Sequence, residues 1–249
     1  MSIYISVVSH GHDDLIISNE SLLAINSLEN VILVVKDNVK SLALKAWCNK
    51  NNVQYLTSSH AMGFGENNNF VFDYCKNLGM DRNDWFVTIN PDVIISKEQF
   101  EKLISELSLR ESGLLTINLF RNIGLTEHEC SLRYFPTFKS LINLFLGKSI
   151  TKSYDKTLLS DNSGVDWASG AFLIFSCDLY DSLGGFDKKY FMYYEDVDIC
   201  YRARKEHDVS VVFLKNVLAY HEGAYQNRNV FSKHFRWYMK SLLTFLMRC

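Results

Sequence analysis

Three carboxylates, Glu195, Asp196 and Asp198, follow directly on the aromatic and apolar run Phe191-Met-Tyr-Tyr194. Carboxylates crowded near an apolar wall repel one another and lose hydration, so at least one should titrate abnormally or hold a cation. An acid-rich first turn that complements a helix dipole would produce the same pattern. A second candidate is Asn90-Pro91-Asp92, which closes an apolar run; Pro91 cannot donate to a ladder, so the strand stops there and presents Asp92 at its end. A lone carboxylate in that place suits a divalent cation with positions open to phosphate oxygens, and a local Asn/Asp turn is the alternative. The stretch Gly63-Phe-Gly-Glu-Asn-Asn-Asn69 pairs two glycines that permit close backbone approach with three amides able to bind a base edge or a ribose. A turn followed by a capped helix explains it as well, and it is neither a Walker loop nor GxGxxG. Asp37, at the end of another apolar run, can accept from a sugar hydroxyl or a base N–H, or serve as a turn residue.

The elements that must position these residues alternate. Ile3–Val8 and Val31–Val35 are β-branched runs that read as buried parallel strands, and apolar spacing over Asp13–Leu28 reads as a helix between them. A helix over Ser41–Asn49, a strand near Val53–Leu56, a loop over Gly63–Asn69, a helix over Phe70–Leu78 and a strand over Trp85–Ile89 follow. This predicts a doubly wound α/β sheet whose polar loops gather where the strands end, the usual ligand edge. After Leu114–Leu119 the alternation breaks, and residues 121–166, with Pro136 and the apolar patch Leu141–Leu146, read as a variable insertion over the site. Order returns at Val165–Phe175, and a helix through Arg204 and a strand over Val209–Leu214 follow.

At 249 residues, 47% hydrophobic and 14% aromatic, the chain can bury one large core. A net charge of −2 argues against a nucleic-acid binder, which needs a basic footprint. The six cysteines show no metal spacing and fit reduced thiols in a cytoplasm, and the start carries no signal-peptide pattern. No apolar run is long enough to span a bilayer.

Taken in order, VVSHG, VVKDNVKS, GFGENNN, INPDV, WASGAFLI, GGFDKKYFMYYEDVDICYRAR and AYHEG resemble the family 2 inverting glycosyltransferases of the GT-A fold, above all the bacterial rhamnosyltransferases of O-antigen and related cell-surface polysaccharides. The resemblance spans Ile3 to about Gly223 and implies a Rossmann-like, mainly parallel sheet flanked by helices over residues 1–225, with residues 226–249 as an appendage. It implies Asp196 as general base with Glu195 beside it, and Ser9, Asp37, Gly63, Gly65, Asn69 and Asn90 on the nucleotide-sugar side. Asp92 matches the last position of a metal-binding DxD whose first acid is here Asn90, and His221 matches a histidine near the diphosphate and metal. Trp167 and the aromatics Phe191 to Tyr194 can stack on a sugar face of the acceptor or belong to the core, and Trp167, Gly170 and Tyr194 are taken as the acceptor side. The implied cofactor is Mg2+ or Mn2+, the donor dTDP-L-rhamnose, and the acceptor a growing glycan on a polyprenyl diphosphate. Glu66 departs from the small residue usual in the glycine loop, and Phe175-Ser176 from a frequent basic pair.

Residues 229–249 place Phe231, Phe235, Tyr238, Leu242, Phe245 and Leu246 on one helical face and Lys233, Arg236 and Lys240 on the other. Such a helix can lie on an anionic membrane surface, which would make the protein peripheral on the inner face of the cytoplasmic membrane, or pack on the domain. His10 and His12 read as loop residues and Lys36 as a solvated side chain. Rival readings are a UDP- or GDP-sugar donor, a nucleotidyltransferase, for which Ser9-His10-Gly11-His12 offers no basic phosphate loop, and a silent sugar-binding module, which the pair Asp92 and Asp196 speaks against.

Overall fold

The computed structural model describes residues 1–141, 149–221, 223 and 233–248. Residues 142–146 of the apolar patch, Phe231 and the side chain of Lys233 lie outside the described residues. The first half runs β1 (Ile3–Ser9), α1 (Asp13–Ser18), α2 (Glu20–Asn26), β2 (Val31–Asp37), α3 (Leu42–Lys50), β3 (Gln54–Thr57), α4 (Phe64–Asn77), β4 (Trp85–Ile89), β5 (Val93–Ile94), α5 (Lys97–Ser108) and β6 (Leu114–Phe120). The second half adds β7 (Leu132–Arg133), β8 (Ser163–Val165), β9 (Trp167–Ala168), β10 (Phe172–Ser176), α6 (Cys177–Ser182), α7 (Glu195–His207), β11 (Val211–His221) and α8 (Lys233–Leu246).

The central sheet has the order β3-β2-β1-β4-β10-β6-β11-β5, with β8 beside β11. β1 pairs parallel with β2 and β4, β2 with β3, and β6 with β11, whereas β10 runs antiparallel between β4 and β6. Strands β1, β4, β6 and β10 are buried at every position, as sheets covered on both faces require. The antiparallel β10 is the physical reason the alternation fails after β6. β7, inside the expected insertion, pairs with β9, which follows it, in a separate two-stranded ribbon.

The expected helix over 13–28 is two helices. Asn19 divides them: its Oδ1 accepts from Ser21 N at 3.2 Å, and its Nδ2 donates to Pro91 O at 3.3 Å and Val93 O at 2.8 Å. A cap on one helix thus pins the turn that presents Asp92. The expected loop 63–69 is instead the start of α4, which begins at Phe64. The sequence reading passed over α5, although Ser96 caps it and Phe100, Leu103 and Leu107 form its buried stripe. Lys36, expected in solvent, is fully buried and donates to Ser58 Oγ at 3.0 Å. α8 buries Leu242, Phe245 and Leu246 against Tyr194, Val197, Tyr190 and Ile150, so its apolar face is occupied by the domain itself.

Candidate active site

The short segment 169–171, between β9 and β10, joins two polar centres. On one side Asn90 N donates to Ala171 O at 2.9 Å, and on the other Gly170 N donates to Asp196 Oδ2 at 3.0 Å. Ser169 N also donates to Ser131 O at 2.8 Å, which ties the β7 ribbon to the same point.

The first centre is Asp196, at the N-terminus of α7. Its Oδ1 accepts from Val197 N at 2.9 Å. Burial raises its carboxyl above the usual range, opposed by the amides of Gly170 and Val197 and by the charge of Arg133. Neighbouring Glu195 is buried, its Oε2 has no hydrogen-bond partner among the described residues, and burial together with the Asp196 charge pushes it well up. Burial and the neighbouring charge thus bias Glu195 toward its protonated form more strongly than Asp196, and Asp196, hydrogen-bonded by backbone amides, is the better carboxylate of the two. Tyr193 and Tyr194 precede them with φ of +68° and +67°, a left-handed conformation that non-glycine residues adopt at a cost of about 1–3 kcal/mol each and that gathers at functional sites.

Asp198, the third acid, has a different job. It is fully buried and paired with Arg202 Nε at 2.8 Å and with Arg248, and Tyr190 Oη donates to it at 3.2 Å. Arg202 carries on to Leu183 O at 2.6 Å and Gly185 O at 2.7 Å, fastening the GGFD turn to α7.

The second centre lies where β5 meets β11. Asp92 Oδ1 sits 3.3 Å from His221 Nε2, Asp92 Oδ2 accepts from Gly223 N at 3.1 Å, and Glu129 Oε2 lies 2.9 Å from His221 Nδ1. Burial opposes charge on His221, but the hydrogen bonds and charges of Asp92 and Glu129 outweigh it and raise the imidazole to about 9. Its ion pairs are therefore complete below its ordinary value of 6.5 and are lost as pH rises through 9. Burial likewise opposes charge on Asp92, and the His221 hydrogen bond and charge more than compensate, holding it below the usual carboxylate range.

A divalent cation fits here through two donors. Asp92 offers a hard oxygen and His221, once its Nε2 proton has left, a nitrogen facing it; Glu129 on Nδ1 fixes the ring as second-sphere carboxylates do. Among the described residues no group of three or more His, Cys, Asp or Glu side chains forms a metal cage, so the remaining positions would fall to substrate oxygens and water.

Several expected nucleotide residues are occupied by the protein. Asp37 is fully buried and accepts from Val39 N at 2.9 Å, Ser41 N at 2.7 Å and Tyr55 Oη at 3.0 Å, so it shapes the loop after β2 instead of facing a ligand. Asn69 is likewise saturated: it donates to Phe186 O at 2.8 Å and accepts from Tyr180 Oη at 2.7 Å and Phe186 N at 2.9 Å. A Cβ on Gly63 would overlap Phe191 O, and one on Gly65 would come within 2.6 Å of Phe186 Cβ, so these glycines seat α4 against the turn before α7. Ser9 is buried and its Oγ accepts from His12 N at 3.1 Å. Gly170 holds the Asp196 carboxylate, and a Cβ there would press on Phe64 at 3.2 Å. Tyr194, expected at the acceptor, is buried under α8 with its Oη 3.3 Å from Tyr238 Oη, whereas Trp167 is half-buried and its Nε1 donates to Tyr134 O at 2.9 Å.

Sequence reasoning missed Glu129 and Arg133. Both lie in the segment set aside as variable, and only the pairings of β7 with β9 and of His221 with Glu129 bring them to the site. The one available signal was a pair of charged residues flanking an otherwise buried Ser131-Leu132.

A mixed sheet of this topology, with a helix-borne carboxylate facing a strand-end Asp–His pair across one short segment, defines an enzyme of the GT-A glycosyltransferase class. The chain belongs to the glycosyltransferase-like family 2: that family's model matches residues 7–240. It is 33% identical over 249 residues to the rhamnosyltransferase WbbL of Escherichia coli, covering 99% of this chain and 93% of that one. It is 24% identical over 206 residues to the N-acetylglucosaminyl-diphospho-decaprenol L-rhamnosyltransferase of Mycobacterium tuberculosis, covering 78% of this chain and 67% of that one. Among solved structures, the mannosyltransferase PcManGT from Pyrobaculum calidifontis, in complex with GDP-Man and Mn2+, aligns over 90% of this chain and 57% of its own with TM-score 0.60 and 11% identity. S. aureus TarS in complex with UDP-GlcNAc aligns over 95% of this chain and 64% of its own with TM-score 0.60 and 14% identity. These two share the fold, and the chain spans less than two thirds of either.

Proposed function

We propose that this glycosyltransferase moves L-rhamnose from dTDP-L-rhamnose, with inversion, onto a sugar carried by a polyprenyl diphosphate in cell-surface polysaccharide assembly. The observation that carries the chemistry is the Asp196 carboxylate, raised by burial yet aimed by the Gly170 and Val197 amides. The choice of sugar and acceptor is supported by the two rhamnosyltransferase relatives.

In a single displacement the acceptor oxygen forms a bond to the anomeric carbon while that carbon's bond to the diphosphate breaks. The proton passes to Asp196 and the electron pair leaves with the nucleoside diphosphate. Glu195, pushed toward its neutral form by burial and by the Asp196 charge, limits the negative charge beside the base. Asp92 and His221 would be the residues that hold Mg2+ or Mn2+ on the diphosphate side of the site. The metal, when bound, supplies charge neutralisation of the leaving group.

No helix among the described residues is long and apolar enough to cross a membrane. We read the protein as cytoplasmic and peripheral, with the exposed Arg236 and Lys240 of α8 turned to anionic lipid.

Thermal shift with a panel of nucleotide sugars tests the donor. dTDP-L-rhamnose with Mn2+ or Mg2+ is expected to raise Tm by several degrees, since ligand at 100 times its Kd contributes about 2.7 kcal/mol, and UDP- and GDP-sugars to raise it less. Asp92→Ala should weaken the metal-dependent part of donor affinity by about 10-fold or more. A larger response to a UDP- or GDP-sugar would reassign the donor, and a wild-type response indifferent to metal would make the site metal-independent.

A further inference from the structure

Four consecutive residues before the catalytic helix, Phe191 to Tyr194, are each met by a different residue of α8. The Phe191 ring lies 5.0 Å from the Trp237 ring. Ser241 Oγ donates to Met192 O at 3.0 Å. Tyr193 Oη lies 3.0 Å from His234 Nδ1, and Tyr194 Oη lies 3.3 Å from Tyr238 Oη, with the Tyr194 ring also against Phe245. Beyond them, Arg248 reaches Asp198 and, at 3.1 Å, Asp187. Positions 234, 237, 238, 241, 245 and 248 recur at three- and four-residue spacing, so one stripe of α8 follows the whole turn.

That turn is where strain is stored. Two adjacent tyrosines in the left-handed region would relax to ordinary backbone angles if nothing held them. Their geometry sets the direction of α7, because Tyr194 O accepts the helix's first hydrogen bond, from Asp198 N at 2.8 Å. On its other side the turn is pinned at its start, where Phe64 N donates to Phe191 O at 3.2 Å. Relaxation at 193–194 would therefore swing Glu195 and Asp196 while leaving the sheet and the Asp92–His221 centre in place.

We propose that α8 is part of the catalytic apparatus: His234, Trp237, Tyr238 and Ser241 are positioning residues that hold the strained 191–194 turn and so aim the Asp196 carboxylate at the acceptor. This rests on Asp196 as the base, and that assignment fails separately, by normal turnover in Asp196→Asn. The helix is then an internal support of the site, and acceptor turnover depends on it even though none of its residues needs to touch the reacting atoms.

The test uses the full chain with His234→Ala, Tyr238→Phe and Ser241→Ala, singly and combined. Tyr238→Phe and Ser241→Ala each delete one polar contact, His234→Ala removes its contact with Tyr193 Oη together with its ring contacts to Tyr193 and Trp237, and all three leave the buried Leu242, Phe245 and Leu246 untouched. The combined variant is expected to lose about 10- to 100-fold in kcat, the scale of a small misplacement of a reacting group, with donor Kd within about twofold and Tm close to wild type. Its kcat–pH profile should move to higher pH, because the Asp196 carboxylate loses the Gly170 amide that holds it down against burial, while Val197 moves with it on the same helix and the Arg133 charge only partly offsets the loss. Ser241→Thr, which keeps the hydroxyl, should retain wild-type kcat. Unchanged kcat and pH profile in the combined variant would overturn the inference. So would a fall in donor affinity and Tm in step with kcat, which would mean that α8 only supports the fold.

Discussion

Asp196→Asn is expected to lower kcat by about 10²- to 10⁴-fold, the range for loss of a positioned general base, with donor affinity unchanged. Asparagine keeps the shape, and its single amide oxygen can accept from the Gly170 or the Val197 amide but not from both, so the variant removes proton acceptance together with one of these two hydrogen bonds. The wild-type rate should rise with pH along a limb displaced above the ordinary carboxylate value of 3.8, because burial favours the protonated form and only the carboxylate can take a proton. The same displacement costs stability. A carboxyl raised in the folded state binds more protons there than in the unfolded chain, so stability falls as pH rises from the ordinary value through the raised one. Asp196→Asn should flatten that part of the stability curve. Near-normal turnover in the variant would move the base to another residue.

Asp198→Ala is expected to be the most damaging change to the fold. It leaves Arg202 buried without its carboxylate, and removing one partner of a buried ion pair costs about 3–5 kcal/mol. At the scaling of a chain this size, Tm should fall by roughly 10 °C. The loss should reach beyond α7. Arg202 would no longer hold the Leu183 and Gly185 carbonyls firmly, and Arg248 would lose its buried partner at the end of α8. Thermal unfolding at matched pH and salt checks this. A drop of only a degree or two would mean that water or a neighbouring acid compensates Arg202, and that Asp198 is not the fastening point of the three acids.

How far the sequence could be read follows from what each residue type encodes. The strands Ile3–Ser9, Trp85–Ile89 and Leu114–Phe120 were legible because continuous apolar runs bounded by polar turns have one good solution, a sheet covered on both faces. The acid cluster was legible as unusual, but its division between a strained helix start and the Asp198–Arg202 pair was not. What could not be read was which way a polar side chain faces. Asn69 finds its partners at Phe186 and Tyr180, more than a hundred positions away, and Asp37 is filled by Tyr55 from the next strand. A spacing rule sees an amide or a carboxylate near a strand end and cannot see that the protein has already claimed it. Glu129 and Arg133 were hidden for the converse reason. They lie in a segment without periodicity and gain meaning only from the β7–β9 ribbon and from His221 at the end of β11. The amphipathic pattern of α8 was read correctly as a stripe, but a stripe does not name its partner. Here the partner is the catalytic turn.

The most direct measurement is the anomeric configuration of the product. The full chain would be incubated with dTDP-L-rhamnose, Mg2+ or Mn2+, and an N-acetylglucosaminyl diphosphate bearing a short prenyl tail, and the new linkage read by NMR. A single rhamnosyl product with configuration opposite to the donor's is expected, formed by wild type and lost in Asp196→Asn. A product that retains the donor's configuration, or transfer from a different nucleotide sugar with none from dTDP-L-rhamnose, would contradict this expectation.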